Sequence, residues 1–182
     1  YCGWDNDTRH NIPSRYEALC GLCGGEFNES LGVSKPYDFR SWVPDAIVVN
    51  LGTNDASAFE QPPFTIPETG EICKQRKNPD GTYNREDLLK FEQAVIDFLK
   101  MLRKHNESSH IVWAYGMLGY DLTLAITEAM NTYCNETGDS NVAFLQLPDS
   151  TPDNLGAHAH PGPASHERAA AILTEYFKKK WE

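Results

Sequence analysis

The most informative stretch of the sequence is Asp45-Ala46-Ile47-Val48-Val49-Asn50-Leu51-Gly52-Thr53-Asn54-Asp55. Its apolar part, 46–49, does not alternate and is too short to favour a helix, so it predicts a strand buried on both faces of a sheet. Ligands of open parallel sheets bind beyond the carboxyl ends of such strands. Gly52 lets backbone approach a ligand, the Asn54 amide can donate a hydrogen bond, and the Asp55 carboxylate can accept one. We therefore predict a site here, with Asn54 holding an oxyanion.

A second segment, near the other end of the chain, favours a site over the plain turn that Gly, Asn and Asp often form. Residues 156–166, Gly-Ala-His-Ala-His-Pro-Gly-Pro-Ala-Ser-His, form a Gly- and Pro-rich loop that leads into a helical run. A histidine just before a helix start, aimed by a proline-fixed turn, is well placed to act as a general base. We predict His160 as that base.

The histidines of this loop also invite a metal interpretation. His158, His160 and His166 are close in sequence, and a His-x-His pair can bind zinc. Pro161 and Pro163 make the loop irregular, however, and no Cys or carboxylate lies at a helpful spacing. We expect no metal site, and we expect His166 to be a helix-start residue that packs beneath the site.

Strands and helices alternate along the rest of the chain, as a parallel sheet with right-handed crossovers requires. The clearest helix begins at Asn84, which can cap it, and it carries one apolar stripe. We predict strands at 46–49, 111–115 and 142–145, and helices at 14–19, 84–105, 124–135 and 166–180. This α/β order is compatible with a three-layer α/β/α sandwich around a flavodoxin-like parallel sheet.

Both segments resemble motifs of the SGNH (GDSL-type) hydrolase superfamily, which has that sandwich fold. Gly52, Asn54 and Asp55 match its Gly-x-Asn-Asp block, and His160 matches the block before its final helix. The segment 42–55, with His160-Pro161 and Ser165-His166, is similar to carbohydrate esterase family 2. That resemblance implies a serine esterase without a cofactor that removes acetyl groups from plant polysaccharides such as xylan or mannan.

The nucleophile block of that superfamily is not visible. A Gly-Asp-Ser block should lie well upstream of Asn50, and the chain opens at Tyr1-Cys2-Gly3-Trp4, which is typical of a loop inside a domain. We therefore expect 1–182 to be a single SGNH hydrolase-like domain that lacks its N-terminal strand and nucleophile, with the N-terminal segment of the same protein as a partner. Gly138-Asp139-Ser140 spells the tripeptide, but it follows a helical run and precedes a strand, which is the wrong end of the sheet.

The orientation of His160 is a second departure from the pattern. Most superfamily members carry an acid three residues before this histidine, where the chain has Ala157. A backbone carbonyl can orient the ring instead, since a triad is defined by roles. Asp153 or Asp149 could also reach in from the preceding loop, and the sequence selects neither. Asp55 is expected to fix its loop and not to carry a proton.

Two further regions are candidates for a substrate cleft. Trp42 and Tyr120 could line it and stack on sugar rings. The segment 61–83 is a long insertion with several prolines and the turn signal Asn78-Pro79-Asp80-Gly81. It could form a wall of the cleft or be only a surface excursion.

The charge of the chain argues against two classes of binding partner. The net charge of −10 argues against nucleic acid and anionic membranes, and no apolar run is long enough to span a bilayer. An enzyme acting on polysaccharide works outside the cell, so we expect a secreted or cell-surface protein. Five cysteines, two of them in Cys20-Gly21-Leu22-Cys23, leave pairing and free thiols both open.

The sequence therefore predicts a carbohydrate acetylesterase acting on an acetylated polysaccharide or oligosaccharide. Two alternatives stay open: a catalytically silent carbohydrate-binding or scaffold module, and a lipase or thioesterase of the same superfamily. His160 and Asn54 favour an esterase, because a silent module has little physical need for both a base and an oxyanion donor.

Overall fold

A parallel sheet forms the centre of the molecule, in a computed structural model that describes residues 11–20, 25–67 and 69–182. Its three strands lie in the order β1 (Ala46–Val49), β4 (His110–Tyr115) and β5 (Val142–Gln146). Val49 lies opposite Trp113, and Trp113 lies opposite Phe144. The elements are α1 (Pro13–Tyr16), α2 (Glu26–Ser30), β1 (Ala46–Val49), α3 (Thr53–Ala58), β2 (Phe64–Thr65), β3 (Ile72–Cys73), α4 (Arg85–His105), β4 (His110–Tyr115), α5 (Thr123–Thr137), β5 (Val142–Gln146) and α6 (Pro163–Trp181).

Helices α4 and α5 cover one face of this sheet and seal the main core. The predicted apolar stripe of α4 faces inward, and Phe91, Val95 and Leu99 are fully buried against β4 and α5. The Asn84 side chain caps α4 by accepting the backbone N–H groups of Glu86 and Asp87, at 3.1 and 3.4 Å. The predicted cap and stripe are confirmed.

Helix α6 covers the other face. Its Ala169 and Leu173 pack in a second apolar cluster with Ala114 and Leu147. The Tyr176 hydroxyl lies 2.7 Å from Nε2 of His110, at the start of β4, which ties the far end of α6 to the sheet. Helices on both faces of a parallel sheet make the three-layer α/β/α sandwich, so the predicted fold class is confirmed.

Strand β1 differs from the prediction in its burial. Val49 is buried, but the side chain of Val48 is 44% exposed, so the strand is not buried on both faces. The reason is its position: β1 is an edge strand of the described sheet, and α6 lies beyond β4 on the β5 side. A patch of sheet surface beside β1 is therefore open in the described part of the chain.

The described residues of the segment 61–83, namely 61–67 and 69–83, form a strap across the surface. It folds back as the antiparallel pair β2–β3, and the Lys74 ammonium donates to the carbonyls of Phe59, at 3.1 Å, and Gln61, at the end of α3. Arg76 makes several hydrogen bonds to the buried carboxylate of Asp87, at 2.7 to 3.0 Å. Of the two predicted possibilities, the structure favours the surface excursion: most of its described residues are exposed, none lines the cleft at the carboxyl ends of β1 and β4, and these hydrogen bonds hold it in place.

The N-terminal region departs from its predicted helix. Only Pro13–Tyr16 is helical, and Ala18 already pairs with Pro36 in an isolated bridge. Cys2 and Cys23 lie outside the described residues, so the pairing of the cysteines stays a prediction. Burial raises the pKa of the Cys134 thiol, which is free. Among the described residues, no helix is long and apolar enough to cross a bilayer.

Candidate active site

A cleft of about 330 Å³ lies at the carboxyl ends of β1 and β4. Its walls come from three separate parts of the chain: the segment after β1, the segment after β4, and the loop before α6. The lining residues are Asn50, Leu51, Gly52, Thr53, Asn54, Gly116, Met117, Leu118, His160, Pro161 and His166. The structure therefore brings together Gly52, Asn54 and His160, as the sequence predicted for a site at this edge.

The first wall is a sharp turn from strand to helix. Gly52 has φ of 126°, a conformation that favours glycine, and a Cβ there would lie 2.9 Å from Cε2 of Tyr115. Helix α3 begins at once, with the Ala56 N–H donating to the Gly52 carbonyl at 2.8 Å. The sequence had suggested only a loop or turn here. The helix start fixes the backbone of Asn54 at the edge of the cleft.

The Asn54 amide is available to a ligand. It lies in the first turn of α3, is exposed, and makes no hydrogen bond with any other described residue. The backbone behind it is fixed, because the Trp113 indole N–H donates to the Leu51 carbonyl at 3.0 Å. The Asn50 amide donates to the Ala114 carbonyl at 2.6 Å and ties β1 to β4. An unused amide donor on a fixed backbone is what an oxyanion site requires.

Asp55 points the other way, into the core, where it is almost fully buried. Burial raises the pKa of the neighbouring Tyr115 hydroxyl to about 12, and the charges of Asp121 and Asp55 add to this. The Tyr115 hydroxyl accepts the Leu122 N–H at 3.4 Å. Asp55 does not line the cleft, and its role as a structural partner stays a prediction.

His160 lies on a short, strained loop. His158 and Ala159 have φ of 54° and 58°, the left-handed region that residues with a Cβ rarely adopt. This turn places the His158 carbonyl 3.1 Å from Nδ1 of His160. A carbonyl can only accept, so Nδ1 carries the proton and the lone pair on Nε2 is free to take another. The ring is therefore oriented by a backbone carbonyl.

Neither candidate acid hydrogen-bonds to His160. Asp149 accepts the backbone N–H groups of Gly119 and Ser150, at 3.0 and 2.9 Å. Asp153 lies in a 3₁₀ turn, 152–154, and has no hydrogen bond to the ring. Of the alternatives that the sequence left open, the carbonyl of His158 is the one that the structure places beside Nδ1.

The two predicted aromatic residues lie in different places. Trp42 is 67% exposed in a groove beside the amino end of β1, so the structure does not bring it to the cleft. Tyr120 lies next to the cleft, behind Gly116, and its hydroxyl donates to the Leu147 carbonyl at 3.0 Å. Ser140 lies between α5 and β5, at the amino edge of the sheet.

Several lining residues were missed from sequence. Met117 and Leu118 follow β4 as Thr53 and Asn54 follow β1, and the signal was available: a buried strand that ends in a glycine, Gly116. Met117 has φ of 72°, a second strained position at this edge.

His166 was expected to pack beneath the site. It instead lies exposed in the second turn of α6, on the wall of the cleft, because α6 begins earlier, at Pro163. In the described part of the chain, no three His, Cys, Asp or Glu side chains are grouped so that they could hold a metal ion.

A parallel sheet with helices on both faces, whose Asn-bearing and His-bearing segments meet at one edge, is the arrangement of an SGNH-type α/β hydrolase. Several solved structures and a curated protein are similar to the chain. No family model matches it.

An acetyl xylan esterase, Est2A, from the rumen bacterium Butyrivibrio proteoclasticus is 56% identical, with a TM-score of 0.94 over 98% of this chain and 49% of that one. A family two carbohydrate esterase from Clostridium thermocellum, solved with cellohexaose, is 25% identical, with a TM-score of 0.66 over 98% and 47% of the two chains. The cellulase/esterase CelE of Acetivibrio thermocellus is 29% identical over 79% of this chain and 15% of CelE.

These likenesses confirm the resemblance to carbohydrate esterase family 2. They also set its extent: the chain spans about half the length of the two solved structures, 49% and 47%, and a smaller share of CelE.

Proposed function

We propose that this chain forms the base-bearing and oxyanion-binding part of a carbohydrate acetylesterase. The single observation that carries the proposal is the meeting of two unused groups in one cleft: the exposed Asn54 amide and His160 with Nε2 free. A binding module needs neither group. The identity of 56% to an acetyl xylan esterase supports acetylated xylan as the first substrate to test.

The nucleophile in this proposal is a serine from an N-terminal segment of the same protein. No serine is among the described residues that line the cleft, although both of the serine's partners are there. The open sheet surface beside Val48 gives such a segment a place to pack, next to the strand that leads to Asn54. In this proposal, residues 1–182 belong to one hydrolase domain that the upstream segment completes, in a secreted or cell-surface protein.

The residues support a two-step acyl transfer. As the serine Oγ bonds to the ester carbon, its proton passes to Nε2 of His160, and the Asn54 amide donates to the oxyanion. When the bond between the ester carbon and the sugar oxygen breaks, His160 gives the proton to that oxygen. Water then attacks the acetyl-serine, with His160 again as base, and acetate and the free serine are released.

A comparison of chain lengths tests this proposal. The chain 1–182 and the protein extended through its encoded upstream segment are assayed with 4-nitrophenyl acetate and with acetylated xylan. We expect acetate release from the extended protein alone, and its loss in His160→Ala. Equal turnover by the short chain, or full activity of His160→Ala, would overturn the proposal.

A further inference from the structure

The loop that carries His160 is closed at its base by a small polar cluster, which we call the neck: Asn154, Gly162 and Ser165. The Gly162 N–H donates to the Asn154 carbonyl at 2.8 Å. The Ser165 hydroxyl lies 3.1 Å from that same carbonyl and 2.9 Å from the Asn154 Oδ1. Both ends of the loop 155–161 are thus joined through one residue, Asn154.

Gly162 and Ser165 of the neck are buried, and Asn154 is half-buried. Ser165 is 1% exposed, and its Oγ accepts the Ser150 hydroxyl at 2.8 Å while it donates to Asn154. The Asn154 Oδ1 also accepts the Thr151 N–H at 2.8 Å. Gly162 is required by closeness, since a Cβ there would lie 2.7 Å from the Asn154 carbonyl. The bonds of the buried Ser165 hydroxyl favour one geometry, because breaking them leaves a buried polar group unpaired.

The loop that the neck closes, residues 155–161, contains strained backbone. Two successive residues with a Cβ, His158 and Ala159, adopt left-handed backbone angles, which are unfavourable for such residues. Above the neck, the loop keeps its shape through the Gly156 N–H, which donates to the His160 carbonyl at 2.6 Å. Such strain persists only where the surroundings over-determine the backbone. The bonds at the neck supply that constraint.

We infer that Asn154 and Ser165 are positioning residues: they hold the strained turn so that the His158 carbonyl stays on Nδ1 of His160. Neither residue lines the cleft or touches substrate. Their effect passes through the tautomer and direction of the imidazole, which an acid would fix in the usual triad. The inference rests on the proposed role of His160 as the base.

The first test measures the tautomer of His160 and does not need activity. Long-range ¹H–¹⁵N correlation spectra of the histidine rings are recorded at about pH 8.5, where a histidine is ordinarily neutral. His160→Ala assigns the signal. We expect the Nδ1–H form in the wild type, a mixture of tautomers in Asn154→Ala and Ser165→Ala, and the wild-type form in Asn154→Asp, which keeps the accepting oxygen.

The second test measures turnover of 4-nitrophenyl acetate by the extended protein. A misdirected base costs on the order of tenfold to a hundredfold, so we expect kcat to fall by that factor in Asn154→Ala, with KM changed less than about twofold. Asn154→Asp should restore most of kcat. Ser150→Ala, which removes only the outer bond to Ser165, should have the smallest effect.

Two outcomes overturn the inference. One is a wild-type tautomer in both alanine variants, and the other is a loss of kcat that Asn154→Asp fails to restore. Should Asn154→Ala not fold, Ser165→Ala gives the same readouts with fewer bonds removed. An extended protein without esterase activity would refute the proposed function, and the tautomer of His160 would still decide the role of the neck.

Discussion

Two of the three walls of the cleft, the segment after β1 and the loop before α6, are held in place by different forces. Gly52 and Asn54 lie next to the hydrophobic core, where Gly52 packs against the buried ring of Tyr115. Lys74 of the strap holds the end of α3 by donating to the Phe59 carbonyl. His160 lies on an exposed loop whose shape depends on a few hydrogen bonds and on two strained residues, His158 and Ala159. One wall is fixed by packing, and the other by polar geometry.

The two walls should therefore respond to substitution in different ways, one in folding stability and the other in turnover. Packing errors near Gly52 reach the whole core, so they should appear as a loss of folding stability. Errors at the His160 loop leave the core alone and should appear as a loss of turnover at unchanged stability. Single substitutions in the protein that includes the proposed upstream segment test this contrast.

The largest effect is expected for His160→Ala. Removing the base should lower kcat for 4-nitrophenyl acetate by about 10³-fold or more, since general bases contribute roughly 10²–10⁴. The free energy of unfolding in urea should change by less than about 0.5 kcal/mol, because the side chain is exposed. Added free imidazole should restore part of kcat through the open cleft. A stability loss as large as that of a core variant would break the contrast.

Asn54→Ala comes next. Loss of one oxyanion donor costs on the order of 10²–10³ in kcat. Since the amide makes no hydrogen bond with other described residues, stability should again be unchanged. Ser57→Ala, on the same helix and outside the cleft, is the matched control and should keep full activity. Equal kcat in Asn54→Ala and the control would remove Asn54 from the mechanism.

Gly52→Ala should act on stability first. The new Cβ meets the Tyr115 ring at 2.9 Å and the backbone keeps φ of 126°, so we expect a loss of about 2–3 kcal/mol in urea unfolding. Gly81→Ala is the control, because Gly81 also has a positive φ, 85°, but nothing within 4 Å of a Cβ. A cost no greater than that of the control would show that packing does not fix this wall.

The smallest effect is a pH dependence of the strap. Burial raises the pKa of Asp87, but the hydrogen bonds and charge of Arg76 outweigh it, and the net pKa is lowered. Stability from this pair is therefore present above the usual Asp value of about 3.9 and is lost as pH falls through the lower pKa of the folded protein.

The strap is tested by urea unfolding at a series of pH values. Asp87→Asn should be less stable than the wild type at neutral pH, and the difference should shrink in acid. Asp97→Asn, an exposed residue of the same helix, is the control and should follow the wild type. Parallel curves for Asp87→Asn and the wild type would show that the ion pair contributes nothing.

The fold was largely predictable because its signals are local. A few neighbouring residues were enough to predict each of three features: the apolar stripe of α4, its Asn84 cap and the strand His110–Tyr115. Gly52, Asn54 and His160 were recognisable as motif residues. The exposure of Val48 was not predictable, since it depends on which strand lies beside β1.

The geometry of the His160 loop was beyond the sequence for a different reason. Ala rarely adopts a left-handed backbone, and His, although it does so more often, is far from specific for it, so the residues 158–159 do not predict this turn. Asn154 and Ser165 meet only because the loop between them closes. Long-range hydrogen bonds of this kind leave no period or spacing to read.

Strand β1 also has a consequence for the handling of the protein. An edge strand with an apolar side chain in solvent is a template for another strand, and two copies of the chain can offer it to each other. The net charge of −10 opposes such contacts at low ionic strength, and salt screens that repulsion. A preparation of residues 1–182 should therefore stay dispersed in dilute buffer and self-associate as salt is added.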